Sequence, residues 1–387
     1  MREFTLRGEY RYNRSGPAWW VWSHLKRYLW FPLLAIAAAV LNNVAYSSIQ
    51  VYIGEGFDLI VSPDWETNAL AVVALSVMVA AVVQGLTGLG RNFAVEFLAQ
   101  RVERDARDEL YVSLLGKSQT FHGRQRIGEI MARATNDVRQ LNFMFSPGVM
   151  LILDGLMGIV IPFLFISRLH PALLLTPSVF LILFAVTLYD YNRQLNPVSI
   201  AMREQFGTMN ATLAEAVAGI EVVKANVQEH YEWQKFTQNA RLFRDYYVKQ
   251  GEIQARYLPM LVFAVCLGGG FLHALTVWST GAITLGEVVA FMGLMGALRF
   301  PTFISIFAFN MVQLGIASAR RILELINAET NLDENEAGVA RPIKGEVVFE
   351  NVSFGYDPAT PVLKDISFTA RPGETVAIVG QTGSGKT

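Results

Sequence analysis

Apolar residues gather into six runs, at about 29–53, 68–90, 143–167, 172–190, 257–279 and 285–313. Each is close to the roughly 20 mostly apolar residues that a helix needs to cross a bilayer. One such run could be the core of a soluble protein; six in one chain predict six spanning helices. The connections between them are unequal. Runs 1 and 2 are joined by a short segment with Glu55, Asp58, Asp64 and Glu66 and no lysine or arginine. Arg168-Leu169-His170-Pro171 separates runs 3 and 4, and Thr280 to Thr284 separates runs 5 and 6. By contrast, 91–140 and 191–256 are long, polar and rich in Lys and Arg. Positive charge beside a span marks the cytoplasmic side, so both long connections and both termini are expected there.

Those connections carry helical periodicity. Phe93, Phe97, Val102, Ala106, Leu110 and Leu114 share a helical spacing, Glu103 and Arg107 stand at i, i+4, and no proline interrupts from Val72 to Leu115. Run 2 is therefore predicted to continue as one helix about 25 residues, or about 35 Å, into the cytoplasm. The second connection repeats the design, with Phe206, Leu213, Val217 and Ile220 going out and Phe236, Phe243 and Tyr247 coming back. Polar reversals near Gly123–Asp137 and Gly219–Trp233 mark the two tips. Hairpins this long need something in the cytoplasm to touch. Pro162 and Pro177 are expected to bend their helices, and Asn42 and Asn43 to make helix–helix contacts.

Outside the spans the pattern changes. Residues 1–28 hold Arg2, Arg7, Arg11, Arg14, Lys26 and Arg27 beside Trp19, Trp20 and Trp22. That mixture suits a cytoplasmic or interfacial helix at the headgroup level. The apolar run beginning near Leu29 is too long, and too far from the start, for a cleavable signal peptide. After run 6 the helix is predicted to extend through Ser318–Leu325, and then 327–344 becomes an acidic linker with Glu329, Asp333, Glu334 and Glu336. It separates a helical region at 29–326 from a last region at 345–387. There the apolar period becomes 2, with Val347, Phe349 and Val352 in one strand and Ile366 and Phe368 in a second. The turn Arg371-Pro372-Gly373-Glu374 leads to a third expected strand, Thr375–Val379.

That strand feeds Gly380-Gln381-Thr382-Gly383-Ser384-Gly385-Lys386-Thr387, which fits G-x-x-x-x-G-K-[ST] at every fixed position. The residue types explain the chemistry. Gly380, Gly383 and Gly385 admit backbone conformations that let successive N–H groups converge on phosphate oxygens. Lys386 can reach the β- and γ-phosphates of a nucleotide, and Thr387 offers a hydroxyl to Mg²⁺. The loop reads as a nucleoside triphosphate site, with ATP the cellular nucleotide beside it on the cytoplasmic side.

Composition agrees with a chain partly in lipid: charged residues are 17% and apolar residues 52%, against about 25% charged in an average soluble protein. A net charge of −1 gives no indication of a nucleic-acid partner. The single cysteine, Cys266, lies in an apolar run and reads as packing, and the five histidines are scattered, with no pair at metal-ligand spacing.

Six spans, two long hairpins, an acidic linker and a β-rich phosphate-loop module together resemble the ATP-binding cassette (ABC) exporters, as a half-transporter with its membrane domain N-terminal to its nucleotide-binding domain. Gly128-Glu129-Ile130-Met131-Ala132-Arg133-Ala134-Thr135-Asn136-Asp137-Val138 is similar to their first coupling region, and Gly219–Ala225 to the approach to the second. Ser318–Leu325 resembles the end of their sixth helix, and Val348–Tyr356 with Pro361–Phe368 their opening strands. The fold so implied is an α-helical membrane domain of six long helices followed by the β-rich start of a P-loop α/β nucleotide-binding domain. Tyr356 falls where these cassettes stack an aromatic ring on adenine. The hairpin tips would be short coupling helices, the second reaching a partner's cassette, and two half-transporters, identical or not, would make one pump. Its cargo would be hydrophobic or amphipathic, drug-like or lipid, exported by alternating access. An ATP-gated channel or regulatory membrane protein on the same scaffold, or a lipid flippase, are the competing readings.

Two ionisable residues lie deep in the spans, Asp154 in run 3 and Arg299 in run 6, followed by Pro301. Each is about 20 Å from the end of its helix, and a charge at that depth is costly. They are expected to face a central cavity, paired or on the translocation path.

The resemblance departs from the family pattern in one respect: the sequence ends at Thr387, the last residue of the loop. A phosphate loop draws part of its pull from the helix that follows it, and the family's acidic strand, signature motif and switch histidine also lie beyond it. The expectation is a truncated or partially covered half-transporter with no catalytic residue among these 387. The purified chain should show no steady-state ATP turnover in a phosphate-release assay; measurable turnover would overturn this.

Overall fold

Inside a bilayer each backbone N–H and C=O must be paired within the segment that carries it, and all six apolar runs are helical. The computed structural model describes residues 10–63, 66–329, 338–339, 341–355, 361–381, 383–384 and 386. It comprises two units, Met1–Leu332 and Asp333–Thr387. In the first unit, α1 is Pro17–Lys26 and α4 Gln119–Arg124. The six helices long and apolar enough to cross a membrane are α2 (Trp30–Val61), α3 (Thr67–Leu115), α5 (Ile127–Leu169), α6 (Pro171–Ala218), α8 (Glu229–Ser279) and α9 (Leu285–Asn327). Between α6 and α8 lies the short α7, Ile220–Ala225. The second span does continue unbroken for 49 residues, with the Glu103–Arg107 pair formed at 2.6 Å.

The helix α2 runs eight residues beyond the expected end at 53, and its extra turns explain themselves. Gly54 of α2 and Gly286 of α9 meet backbone to backbone: a Cβ on either would run into the other's carbonyl oxygen. Two turns along α9, a Cβ on Gly293 would strike the Gln50 side chain. Just past this crossing Asp58 accepts hydrogen bonds from Thr284 Oγ1 at 2.5 Å and from Gly286 N at 2.6 Å. Thr284 and Glu287 add a reciprocal capping box at the same helix start, so the first orphan N–H groups of α9 are answered and an anion sits at its positive end. The T-x-x-E spacing announces this cap in the sequence.

A lower core joins α1, α3, α5 and the last turns of α9. Val102, Ala106 and Leu110 lie in it with Leu141, Met144, Ile322 and Ile326. Phe93 and Phe97, assigned to the same face by spacing, are exposed instead; Phe97 stacks on Phe31 of α2, 6.3 Å between ring centroids.

The tryptophan cluster requires a correction. Trp19 and Trp22 are exposed, as a headgroup helix would have them, but Trp20 is fully buried in this core. Its Nε1–H donates to Glu109 Oε2 at 2.7 Å, and Arg14 pairs with Oε1 of the same carboxylate. One turn back on α3, Asp105 accepts from Tyr28 at 2.8 Å, Arg27 at 3.0 Å and Arg104 at 2.7 Å. Two buried carboxylates at i, i+4 thus hold residues 12–28 against α3. Burial opposes their ionisation, yet these donors outweigh it. His24, Arg14 and Trp20 hold Glu109 below the usual carboxylate range, and Arg104, Tyr28 and Arg27 do so for Asp105.

In the second unit, β1 (Val347–Phe354) pairs antiparallel with β2 (Leu363–Ala370). Phe349 faces Phe368 across the pair with rings stacked 4.6 Å apart. Register shifts on either side of Val352 interrupt the expected alternation, and Asn351 lies beside one of them at φ 48°. The turn at Arg371–Glu374 forms, closed by Glu374 N–H to Arg371 O at 3.0 Å with Gly373 at φ 80°. The third expected strand does not: Thr375–Val379 belongs to no sheet. A strand exists by pairing its backbone with a neighbour, and among the described residues β1 and β2 pair only with each other. Ile378 and Val379 are consequently exposed.

Two outcomes test these contacts. Gly286→Ala should destabilise the purified protein by about 1–3 kcal/mol through overpacking against Gly54, whereas Gly85→Ala, whose Cβ meets nothing within 4 Å, should not. Differential scanning fluorimetry reads both. The depressed pKa values of Asp105 and Glu109 mean that the docking of α1 is fully stabilised above the ordinary carboxylate pKa of about 4 and is lost as pH falls through the lower folded values. Glu109→Gln should remove about 2 kcal/mol of that docking at neutral pH. Hydrogen exchange of the amides of residues 17–26 checks both effects; protection unchanged by the substitution would refute the anchor.

Candidate functional site

The glycine loop is closed by its own lysine. Gly383 holds φ 84°, a conformation open chiefly to glycine, and Ser384 N–H returns to Gln381 O at 3.2 Å. Lys386 Nζ donates to Gly380 O at 2.8 Å and to Gln381 O at 2.6 Å. A Cβ on Gly380 would lie 2.5 Å from Ser384 Oγ, so a side chain there would displace that hydroxyl. The Gly380 and Gln381 carbonyls are thereby gathered around one ammonium, with Gly383 and Ser384 in the turn between them and Lys386. Its carbonyl partners are weak competitors for a polyphosphate, and a tight backbone cradle with one cation fits that group. Tyr356, Thr382, Gly385 and Thr387 lie outside the described residues.

At the far end of the membrane helices, two stretches singled out by sequence come together. Asp137, in the first coupling-like region, accepts from Arg321 Nη2 at 2.5 Å and Nε at 3.0 Å. Ser318 Oγ lies 3.3 Å from the same carboxylate. Arg133 returns the contact, donating to Arg321 O at 3.0 Å while pairing with Glu129. Hydrogen bonding to Asp137 raises the pKa of Arg321 further, so this fork stays charged. A second tie lies one turn on. The buried Lys117, at the end of α3, donates to Ile326 O at 2.9 Å and to Ala328 O, and Ser113 Oγ donates to Ile326 O. Lys117 thereby caps the C-terminus of α9, and burial, with the charge of Arg14, lowers its pKa. Sequence reasoning did not single out Lys117; a lone cation just beyond a long helix was its only signal.

The second tip is built differently. α6 ends at Gly219, the six residues of α7 follow, and Val227 is forced to φ 52°, costly for a β-branched residue. Ile220, Val222, Tyr231 and Trp233 are exposed around it. Along the returning arm, Glu229–Ala255, no residue is buried; it leans on α6, through Phe206–Phe243 and Thr212–Asn239, and meets α7 through Lys224–Glu229.

Within the membrane helices, Asp154 and Arg299 do line one cavity, of about 650 Å³, with Asn42, Asn43, Tyr46, Gln84, Gly158, Phe300 and Phe303. They are not each other's partner. Asp154 pairs with Arg91 of α3, which the sequence reading had counted as the first residue of the cytoplasmic hairpin. A solitary acid in a span was the available signal, since it demands a cation on a neighbouring helix. Arg299 follows the break in α9 at Leu298, where Pro301 cannot donate to the Ala297 carbonyl. Asn42 turns away to donate to Gln84 O at 2.6 Å, a helix–helix contact as expected.

The sequence profile of the ABC transporter transmembrane region matches residues 33–302. The chain belongs to the ABC transporter family. It is 31% identical over 294 residues to a probable multidrug resistance ABC transporter ATP-binding/permease protein, YheI, of Bacillus subtilis, covering 75% of this chain and 50% of that one. To an ATP-dependent lipid A-core flippase of Alcanivorax borkumensis it is 26% identical, over 95% of this chain and 64% of that one. A fatty acid ABC transporter ATP-binding/permease protein of Mycobacterium bovis is 30% identical, over 88% and 53%. The chain thus spans between half and two-thirds of the length of these ABC relatives, and it is an integral, multi-pass membrane protein.

Proposed function

We propose that this ABC chain is one half of a dimeric ATP-driven exporter that moves a hydrophobic or amphipathic substrate. One observation carries the reading: a lysine-closed glycine loop, suited to a polyphosphate, shares a chain with six spanning helices whose internal cavity is lined by both charged and aromatic groups. Relatives named for drugs, lipid A-core and fatty acid have an amphiphile in common. Gly380, Gln381, Thr382, Gly383, Ser384, Gly385 and Lys386 would hold the phosphates, Thr387 the Mg²⁺ and Tyr356 the adenine. The bound nucleotide supplies the free energy of hydrolysis; the chain's own part is to carry a displacement. The Asp137–Arg321 fork and the Lys117 cap make the first hairpin tip and the end of α9 one mechanical piece, so neither end moves without the other.

The orientation follows from charge: both termini and both hairpins face the cytoplasm, in a plasma membrane of bacterial type. A second half-transporter, of identical or related sequence, would cover the α6–α8 hairpin, whose apolar residues Tyr231, Trp233, Leu242 and Tyr247 are exposed in a single chain. The competing channel reading predicts only downhill flux.

The test is ATP-dependent accumulation of a labelled amphiphile in inverted vesicles containing the assembled transporter. Uphill accumulation is expected with wild type and none with Lys386→Ala; passive equilibration in both would refute the exporter. Asp137→Asn should lower transport per ATP hydrolysed by roughly fivefold or more without changing nucleotide binding. Coupling that survived this change would show the fork to be dispensable.

A further inference from the structure

The membrane cavity carries an unbalanced charge. Its titratable lining, apart from Tyr46, is Arg91, Asp154 and Arg299, two cations and one anion. Arg91 already engages Asp154, and both side chains are largely shielded, 14% and 12% exposed. Asp154 is therefore occupied and cannot receive a cationic ligand without releasing Arg91. Arg299 has no hydrogen-bond or ion-pair partner among the described residues, and neither the Tyr46 hydroxyl nor the Gln84 amide has one. An uncompensated guanidinium at this depth is expensive unless an anion or water meets it. Counted from Leu285, Arg299 lies about 21 Å down α9, at the middle of the apolar run 285–313. On the same wall Phe300, Phe303 and Met260 present apolar surface.

Resting on the exporter reading, we propose that the cavity selects amphiphiles with an anionic oxygen head, a carboxylate or a phosphate monoester. Arg299 clamps the head, Tyr46 and Gln84 supply neutral hydrogen bonds, and the tail runs along Phe300 and Phe303. The Arg91–Asp154 pair does not bind the head. It cancels the one acidic group that would otherwise repel an anion or admit a cation. The planar, five-donor guanidinium matches both kinds of head, and its charge-assisted bonds exceed neutral ones about twofold in strength. A cationic amphiphile would meet a net positive wall. A fatty alcohol of equal tail length would gain the apolar contacts and leave Arg299 unanswered.

The assay is binding of a fluorescent fatty acid, the matching fatty alcohol and the matching alkyl-trimethylammonium to the assembled transporter in nanodiscs of zwitterionic lipid, without nucleotide. The acid should bind roughly tenfold tighter than the alcohol, a loss that Arg299→Gln should reproduce, while Arg299→Lys should keep most of the preference. Asp154→Asn, freeing Arg91, should tighten the acid further. Equal binding of the three probes, tighter binding of the ammonium, or an Arg299→Gln effect shared by all three would overturn the assignment. Inorganic phosphate separates the sources of the anion. If it displaces the acid at equal concentration, the site is one for free ions and the amphiphile assignment falls; failure to displace supports it. Anion preference without ATP-driven accumulation in vesicles would leave this site standing and remove the exporter; accumulation without any anion preference would do the reverse.

Discussion

Lipid offers no hydrogen bonds, and nearly every specific feature of the membrane unit is an answer to that constraint. It makes the spans helical, and it makes their ends and charges expensive. The start of α9 is answered by Asp58 and the Thr284–Glu287 box, and the charge of Asp154 by Arg91; just past the break in α9 the Tyr257 hydroxyl donates to Thr302 O at 2.8 Å. These partners come from helices distant in sequence, so satisfying them also fixes which helices are neighbours. The Gly54–Gly286 crossing follows the same logic from the other side, since helices in lipid gain by close backbone approach rather than by excluding water.

Below the membrane the rule inverts. There the helices α3, α5 and α9 stand where water is available, and they are bound by an apolar core cross-braced with ions: Glu109 and Asp105 to the N-terminal segment, Asp137 to Arg321, Lys117 to the end of α9. In each carboxylate–arginine pair the acid is buried and the arginine more exposed, which lowers the desolvation cost while keeping the direction of a charged hydrogen bond. The contrast with the α6–α8 hairpin is informative. That arm has exposed ion pairs, such as Lys224–Glu229 and Lys235–Glu215, and no buried residue in 229–255. Exposed pairs contribute little, so this arm is held weakly by its own chain, while the first hairpin is fastened to α9.

The large divisions were legible because they rest on counting and period. Six apolar runs, an uninterrupted helix to Leu115 and the turn at Arg371–Glu374 each follow from a local rule. What was not legible depended on partners. Trp20 and Trp19 are adjacent and chemically identical; only the presence of Glu109 on α3 decides that one is core and the other surface. Thr375–Val379 has the composition of a strand, yet a strand is a property of a pair. Arg91 looked like the edge of a polar segment because charge was counted by position along the chain, whereas its role depends on a carboxylate 63 residues away. In the loop, the pattern picks out Gly380 to Thr387 but gives no sign that Lys386 sits on the Gly380 and Gln381 carbonyls.

That placement bears on how the two sites compare. In the loop, Lys386 is a cation already satisfied by neutral oxygens, which a more strongly charged ligand can displace. In the cavity, Arg299 has no hydrogen-bond or ion-pair partner among the described residues and directly follows the helix break at Leu298. A helix broken at Leu298 and fastened to the first hairpin at Arg321 places both the open site and the coupling joint on α9. About 22 residues of one helix, or some 33 Å, separate Arg299 from Arg321, so a displacement imposed at Arg321 would be carried along α9 toward Arg299.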